Sequence, residues 1–414
     1  MTPNYRRTRF ACYFAYLSTS SIFCIPALLF VTFHNMYDIS YTLLGTLVAI
    51  NFITQLSIDL IFSFFSRFFN IRLCVRLMPI LTAAGLLVYA VIPMLFPAYA
   101  YAGLVIGTLI FSVSAGLGEV LLSPTIAALP SEHPERDMSL LHSLYGWGVF
   151  GNVLIATLYL LLAGAENWFY LVIVLALLPI VTAVLFFLSP MPPLELSHPV
   201  GKENTKKRTL GLALCVACIF LGSASENTMT NWISGFAENA LGISKVWGDI
   251  FGLALFALLL STVRTVYAKY GKKIENVILV SMIGAVLCYL TAALAPNDII
   301  GLVACAVTGI MTSMLWPGML ILMEEKMPSL GVAAYALMAA GGDFGASVAP
   351  QLMGIIVDTV SASDFAHSMA DSLSLTPEVI GMKTGMLITA IFPILGVFVI
   401  LTIKRYFKKH GTLT

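Results

Sequence analysis

Five acidic or basic residues lie in the interior of long, predominantly apolar stretches of the chain, away from the ends of these stretches. Four are acids, Asp59, Glu119, Glu226 and Asp343, and the fifth, Arg264, is a base. An ionised side chain at the centre of a bilayer costs about 2.5–3.5 kcal/mol on insertion scales, so such residues are expected to be functional. Because four acids outnumber one base, some must hold a proton or neutralise a bound cation during part of a working cycle. We therefore predict ion coupling, by a proton or Na⁺, through these four acids.

Polar side chains accompany the acids at the spacing of single helix faces. Two runs have intervals of four residues and a third is denser: Asn51, Gln55 and Asp59; Asp343, Ser347 and Gln351; and Ser223, Glu226, Asn227, Thr230, Asn231 and Ser234. Because residues four apart lie on one side of an α-helix, each run predicts a polar stripe. Such a stripe lines a water-filled cavity or bonds to a neighbouring helix. The third run holds too many polar groups for one helix contact, which favours cavity lining there.

Aromatic side chains and one histidine extend the predicted solute site. Indole faces pack against the C–H surfaces of sugars and against cationic or drug-like solutes, and a histidine titrates near neutral pH. Packing between helices is the alternative explanation. The residues predicted to bind a solute are Asn51, Gln55, His142, Tyr145, Trp147, Asn152, Asn227, Thr230, Asn231, Trp232, Trp316, Ser347 and Gln351.

These side chains are carried by apolar stretches that are long enough to cross a lipid bilayer. A spanning helix needs roughly 20 predominantly apolar residues. The chain is 59% hydrophobic and 10% charged, whereas soluble domains are about 25% charged. We predict an all-α integral membrane protein with twelve transmembrane helices. The predicted spans are 10–33, 43–66, 74–96, 98–124, 139–163, 167–188, 209–235, 246–268, 274–294, 298–323, 331–358 and 380–403.

Basic residues are distributed unequally between the loops. With a cytoplasmic N-terminus, the 22 Lys and Arg residues fall in inner segments, except for Lys245 and Lys383 in outer segments and Arg264 within a span. Cytoplasmic loops carry the excess of Lys and Arg in membrane proteins. We therefore predict that both termini are cytoplasmic and that the chain is a multi-pass protein of the cell membrane, in bacteria the inner membrane.

A proline-rich, basic segment divides the chain into two halves. We predict an N-terminal six-helix bundle over residues 1–188, a cytoplasmic linker over 189–208 and a C-terminal six-helix bundle over 209–414. Short sequences recur in the same order in the two halves, among them Phe150-Gly151 and Phe344-Gly345. Transporters are commonly built from such repeats.

The two halves also share short basic turns after the second and eighth spans. These turns are Ser66-Arg67-Phe-Phe-Asn-Ile-Arg72 and Ala268-Lys269-Tyr-Gly-Lys-Lys273. With the 6+6 layout and the central linker, they make the whole chain resemble the major facilitator superfamily. The superfamily's loop signature is degenerate here, because Ser66 replaces its usual acid and only Gly271 remains of its loop glycines. The resemblance implies two six-helix bundles that transport a solute by alternating access.

The fourth predicted span resembles the proton-coupled fucose permease branch of that superfamily. In Ala115-Gly-Leu-Gly-Glu119-Val-Leu-Leu-Ser-Pro124, a Gly-Leu-Gly run leads to a glutamate five residues before a proline. The resemblance implies that Glu119 is the proton-linked acid. The fifth span resembles the branch as well, although sugar-facing amides there stand where this chain has His142 and Tyr145. The first span lacks the membrane acid of the fucose permease pattern.

The seventh span resembles another part of the same branch. Glu226 followed by Trp232 is similar to a Glu…Trp pattern of sodium-linked glucose carriers. The two resemblances leave both the sugar and the coupling ion open.

Other chemistry is absent from the sequence. It contains no P-loop, no dinucleotide-binding fingerprint and no His, Cys and Asp cluster with metal-ligand spacing, so we expect no cofactor or metal and no enzyme activity. The basic loops suit anionic membrane lipids rather than nucleic acid.

We therefore predict a secondary active transporter that moves a small polar solute, with a sugar favoured, by proton symport. The expected partners are the solute, a proton or Na⁺, and membrane lipids, and a monomer is favoured. One alternative is an exporter of amphipathic or drug-like compounds. An alternative from another class is a membrane sensor that does not transport.

Overall fold

The structure is a computed structural model that describes residues 4–39, 41–193, 202–271 and 273–413. Within these ranges all regular secondary structure is helical. The α-helices are α1 (Arg6–Tyr37), α2 (Tyr41–Phe65), α3 (Ile71–Leu95), α4 (Ala100–Ala127), α5 (Pro134–Ala163), α6 (Trp168–Leu175), α7 (Leu177–Phe187), α8 (Lys202–Gly235), α9 (Lys245–Gly248), α10 (Leu255–Tyr270), α11 (Ile274–Leu294), α12 (Asp298–Thr312), α13 (Pro317–Lys326), α14 (Val332–Ser361), α15 (Asp364–Leu373), α16 (Pro377–Thr389) and α17 (Ile391–His410). Two π-helical turns, Phe236–Ala240 and Asp249–Ala254, extend α8 and precede α10.

The predicted spans coincide with helices; 246–268 passes through a π-helical turn between α9 and α10, and three other spans are each divided into two α-helices. These are 167–188, divided into α6 and α7; 298–323, divided into α12 and α13; and 380–403, divided into α16 and α17. The division between α12 and α13 has a local cause. Pro317 has no N–H group to donate to the carbonyl of Ser313 one turn earlier, so the helical hydrogen bond is lost there. The periodicity of apolar residues does not report such breaks.

Ten helical segments of the described residues are long and apolar enough to cross a membrane. They are Ile71–Leu95, Pro97–Ala127, Pro134–Ala163, Ala165–Phe187, Lys206–Ile233, Ile250–Tyr270, Ile274–Leu294, Asp298–Lys326, Val332–Ser361 and Pro377–His410. The other two predicted spans lie on α1 and α2, which have 32 and 25 residues. The all-helical membrane architecture is thus confirmed, while the count of twelve spans stays a prediction.

The chain folds as two compact units. The first consists of Met1–His198 together with Ser329–Ala340, and the second of Pro199–Pro328 together with Gly341–Thr414. The boundaries predicted from the sequence, at 188 and 209, stay predictions. Residues 194–201 of the predicted linker lie outside the described residues.

The first unit is held together by an aromatic cluster and by glycines at helix contacts. Trp168 is fully buried, and its ring centroid lies 4.8 Å from that of Phe33 and 6.1 Å from that of Tyr89. Where α3 meets α4, a Cβ atom on Gly107 would lie 2.6 Å from Tyr89 Cβ. The absence of a side chain there therefore sets the distance between the two helices.

The second unit has a comparable core. Phe236, Phe256 and Tyr289 are buried in one apolar cluster. The hydroxyl group of Tyr289 donates a hydrogen bond to the Ser225 carbonyl of α8 at 2.7 Å. Burial of a tyrosine with its polar end satisfied fixes α11 against α8.

Candidate functional site

In the first unit, a glycine allows α2 and α4 to approach each other closely. A Cβ atom on Gly116 of α4 would lie 2.9 Å from Ile58 Cβ and 3.2 Å from Gln55 Cα of α2. A residue with a side chain at this position would force the helices apart. The contact lies about one helical turn from the acid that each helix carries, Asp59 on α2 and Glu119 on α4.

This close approach brings the two acids together. A carboxylate oxygen of Asp59 lies within 4.8 Å of a carboxylate oxygen of Glu119. Asp59 is fully buried and Glu119 is half-buried. Two ionised carboxylates at this separation repel each other strongly where water is excluded. The arrangement therefore suits a shared proton or a bound cation better than two negative charges side by side.

The rest of the α2 stripe is hydrogen-bonded to itself and to α4. Asn51 Oδ1 accepts hydrogen bonds from Gln55 Nε2 at 3.0 Å and from Ser112 Oγ at 2.6 Å. Gln55 is fully buried. The stripe thus positions Asp59 by locking its helix face against α4, as expected for polar groups between membrane helices.

On α5, two of the predicted solute-binding residues lie within the unit's polar core. His142 is 4% exposed, and its Nε2 atom lies 3.2 Å from Ser123 Oγ of α4. Its ring also packs edge-on against Tyr16 of α1, with centroids 4.9 Å apart. Asn152 donates a hydrogen bond to Ser20 Oγ of α1 at 2.8 Å. These contacts hold α5 between α1 and α4.

The two aromatic residues predicted on α5 are less deeply placed. Tyr145 packs edge-on against Phe23 of α1, with centroids 5.6 Å apart, and Trp147 packs against Phe150 at 6.4 Å. Both Tyr145 and Trp147 are partly exposed. Part of each ring is therefore accessible for contact with a solute or with lipid.

In the second unit, the intramembrane base of α10 pairs with the acid of α8. Nη2 of Arg264 lies 3.3 Å from both carboxylate oxygens of Glu226. Nε of Arg264 donates a hydrogen bond to the carbonyl of Ser313 at 2.7 Å. That carbonyl is the one released by Pro317, so the guanidinium group replaces the missing helical donor. One side chain thus joins α8, α10 and the break between α12 and α13.

The other residues of the α8 stripe form hydrogen bonds within their own helix but differ in their exposure to solvent. Thr230 donates to the Glu226 carbonyl within the helix at 2.8 Å, and Asn227 donates to Ser223 O at 3.1 Å. Asn231 donates to the Asn227 carbonyl and remains exposed. The amide oxygen of Asn231 therefore stays accessible to a solute, whereas Thr230 bonds mainly to its own helix. The side chain of Ser234, the last residue of the predicted stripe, lies outside the described residues.

The remaining predicted residues lie on α14 or pack against it. Trp232 Nε1 donates to the Pro350 carbonyl at 3.1 Å. The ring of Trp316 covers Gly342, where a Cβ atom would overlap it. Asp343, the next residue, is 5% exposed. Within the stripe of Asp343, the hydroxyl of Ser347 donates to the Phe344 carbonyl at 3.1 Å and Gln351 is exposed.

Several residues of these sites were not predicted from the sequence. Two of them are the serines Ser112 and Ser123 of α4. The positions 112, 116, 119 and 123 follow one another at intervals of four, three and four residues, so both serines lie on the same face of α4 as Glu119. That spacing is a signal that identifies them. The carbonyl of Ser313 has no sequence signal except the proline four residues later.

The sequence model of the Major Facilitator Superfamily matches residues 10–350 of the chain. The match begins in α1 and ends in α14. No sequence among the curated proteins matches the chain.

Three solved transporter structures are similar to the chain. The E. coli fucose:proton symporter FucP aligns with a TM-score of 0.68 at 13% identity, over 95% of this chain and 99% of that one. The proton:xylose symporter XylE gives 0.70 at 14%, over 94% and 95%. The human organic anion transporter MFSD10 gives 0.68 at 13%, over 96% and 100%. At these identities the likeness shows a common fold.

Proposed function

The chain belongs to the major facilitator superfamily, and on that premise we propose that it is a symporter that moves a small polar solute together with a proton. The family membership makes it a multi-pass membrane protein and a secondary transporter, not an enzyme. A monosaccharide is the solute class that we propose first. Two observations motivate this choice. The α8 stripe is rich in amides, which bond to sugar hydroxyl groups as carboxylates do. In addition, the proton-coupled sugar symporters FucP and XylE have this fold.

The topology that we propose has twelve spans in the cell membrane, with both termini in the cytoplasm. It is supported by the distribution of Lys and Arg residues among the loops. The transport cycle would be alternating access of the two bundles.

The pair of carboxylates at Asp59 and Glu119 is the observation that carries the proposal of proton coupling. Since their oxygens lie within 4.8 Å of each other, removing the last proton from the pair creates two like charges in a medium of low dielectric constant. Hydration of the pair in one phase of the cycle would lower this cost and release the proton. Proton binding and release would then be linked to the access of water.

On the solute side, we propose that Glu226, Asn227 and Asn231 bond to the hydroxyl groups of the solute. Trp232 would supply an apolar face for its C–H groups. Thr230, whose hydroxyl group bonds to its own helix, would contribute less to solute binding. Among the first-unit residues, Asn51, Gln55, His142 and Asn152 would act by positioning the acids and helices, because their side chains are engaged within the unit.

The experiment has two stages, and the first identifies a solute. Purified protein is screened by thermal shift against L-fucose, D-xylose, D-glucose, amino acids, nucleosides and a hydrophobic cation. We expect stabilisation by at least one monosaccharide. Stabilisation by the hydrophobic cation alone would instead favour the exporter of amphipathic compounds and contradict the proposal.

The second stage measures transport of the stabilising solute in proteoliposomes. With an inward proton gradient, the wild type should accumulate the solute, and Glu119→Gln should abolish accumulation while it preserves solute exchange. Glu166→Gln, which neutralises an exposed glutamate between α5 and α6, is the matched control and should accumulate normally. Normal accumulation by Glu119→Gln, or accumulation that follows a Na⁺ gradient and not a proton gradient, would exclude this acid as the proton site.

A further inference from the structure

An apolar groove runs between α3 and α7 on the first unit. It has a volume of about 360 Å³ and is lined by Ile80, Ala83, Ile180, Ala183, Val184 and Phe187, with Leu188 at its end. Ala83 and Ala183 are buried and form the floor, because small residues leave space where the two helices meet. Val184 and Phe187 form an exposed wall, at 53% and 50% exposure. The volume is within the usual range of sites for small ligands.

The side chain of Arg76 places a positive charge at one end of this groove. The guanidinium carbon of Arg76 lies 5.8 Å from the ring centroid of Phe187, which lines the groove. Arg76 precedes Ile80 by one helical turn, so its side chain is on the groove face of α3. The Nε atom is buried, and none of the described residues accepts a hydrogen bond from it. Arg76 as a whole is half-buried, so a ligand in the groove would meet the guanidinium group through its other nitrogens and not through Nε.

The charged residues on the two helices that form the groove, α3 and α7, all have one sign. Arg72 lies one turn before Arg76 on the same face of α3 and is exposed. Helices α3, α6 and α7 contain no acidic residue. A partner with a negative headgroup and an apolar tail would be complementary to this combination, since the tail would fill the groove and the headgroup would meet the guanidinium group.

We propose that this groove binds an anionic phospholipid of the inner leaflet. One acyl chain lies along the floor formed by Ala83 and Ala183, and the phosphate accepts hydrogen bonds from Arg76, with Arg72 adding electrostatic attraction. Arginine suits this role because its planar guanidinium group bonds to phosphate oxygens through two donors at once. The side of the membrane follows from the topology proposed above. Binding of the lipid is otherwise independent of the solute and of the coupling ion.

The test measures lipid binding to the detergent-solubilised full chain by native mass spectrometry. The probes are dioleoyl-phosphatidylglycerol and dioleoyl-phosphatidylcholine, which have the same tails and differ in the charge of the headgroup. The wild type should bind the anionic lipid more tightly. Arg76→Gln should weaken that binding about fivefold, the contribution of roughly one surface cation, and leave the zwitterionic lipid unaffected. Arg76→Lys should keep most of the preference, because it keeps the charge.

Arg67→Gln is the matched control, because Arg67 also lies over a phenylalanine ring, at 4.8 Å from Phe68, but does not line the groove. It should retain the affinity of the wild type. Val184→Trp should weaken binding of both lipids by filling the groove from its exposed wall. The proposal is overturned if Arg76→Gln and Arg67→Gln lose affinity equally, or if Val184→Trp binds as the wild type does. Binding of inorganic phosphate that is as tight as binding of the lipid, measured in the same way, would show an anion site without a lipid groove and would also overturn the proposal.

Discussion

Arg264 satisfies two groups that would otherwise be costly inside a membrane protein. It pairs with the Glu226 carboxylate and bonds to the Ser313 carbonyl that Pro317 leaves without a helical donor. Its side chain is 4% exposed. Removal of one partner from a buried ion pair leaves an uncompensated charge, which makes the loss much larger than the net stability of the pair.

We predict that Arg264→Gln lowers the free energy of unfolding by about 3–5 kcal/mol, measured by SDS titration in mixed micelles. Glu226→Gln combined with Arg264→Gln should recover part of this loss, because it removes the uncompensated charge. The matched control is Arg9→Gln. Arg9 also pairs with an acid, Asp137 at 3.2 Å, and bonds to the Pro130 carbonyl at 2.8 Å.

The control pair differs in its exposure to solvent. The side chain of Arg9 is 33% exposed, so Arg9→Gln should cost only about 0–1 kcal/mol. Equal losses in Arg264→Gln and Arg9→Gln would show that burial does not determine the contribution of the α10 arginine.

At the scale of the helices, the Phe-Gly dipeptide that occurs in both units, as Phe150-Gly151 on α5 and as Phe344-Gly345 on α14, has different surroundings in each. A Cβ atom on Gly345 of α14 would overlap the Phe220 carbonyl of α8, so the backbones of these helices touch there. At Gly151 of α5, no described atom lies within 4 Å of the position of a Cβ atom. The close approach in α5 instead occurs three residues earlier, at Gly148, against Ser20 of α1.

We predict that Gly345→Ala is destabilising and Gly151→Ala is not. The added methyl group of Gly345→Ala must push α14 away from α8, and overpacking of this kind typically costs about 1–3 kcal/mol. Gly151→Ala should be neutral or stabilising by up to about 1 kcal/mol, because alanine favours the helix. Melting temperatures of the two variants provide the comparison. A larger loss for Gly151→Ala would contradict the packing difference between the two units.

At the scale of the whole molecule, the arrangement of charge along the chain predicts which loops face the cytoplasm. The loop between α4 and α5 is predicted to lie inside, and the segment between α14 and α16, which includes α15, is predicted to lie outside. Of the described free cysteines, five are buried and Cys74 is intermediate. Labelling of new cysteines in intact cells can therefore report the topology with little background.

We predict that a membrane-impermeant maleimide labels Ser372→Cys in intact cells and labels Glu132→Cys only after the membrane is opened. Both positions are exposed in the structure, so accessibility within the protein does not distinguish them. The wild type is the background control. Labelling of both variants from outside would mean that the predicted number of spans between these positions is wrong.

The sequence by itself determined the class of the protein and the faces of its helices. Apolar length required membrane helices, and the four-residue spacing put Asn51, Gln55 and Asp59 on one side of α2, because the turn of a helix is set by hydrogen bonds between near neighbours in the chain. Only the tertiary structure decided which faces meet. Asp59 lies beside Glu119 because Gly116 lets α2 and α4 approach, and the Arg264 that pairs with Glu226 is also held by the Ser313 carbonyl that Pro317 leaves without a helical donor. Such long-range packing depends on the whole set of side chains at a contact, and no local spacing encodes it.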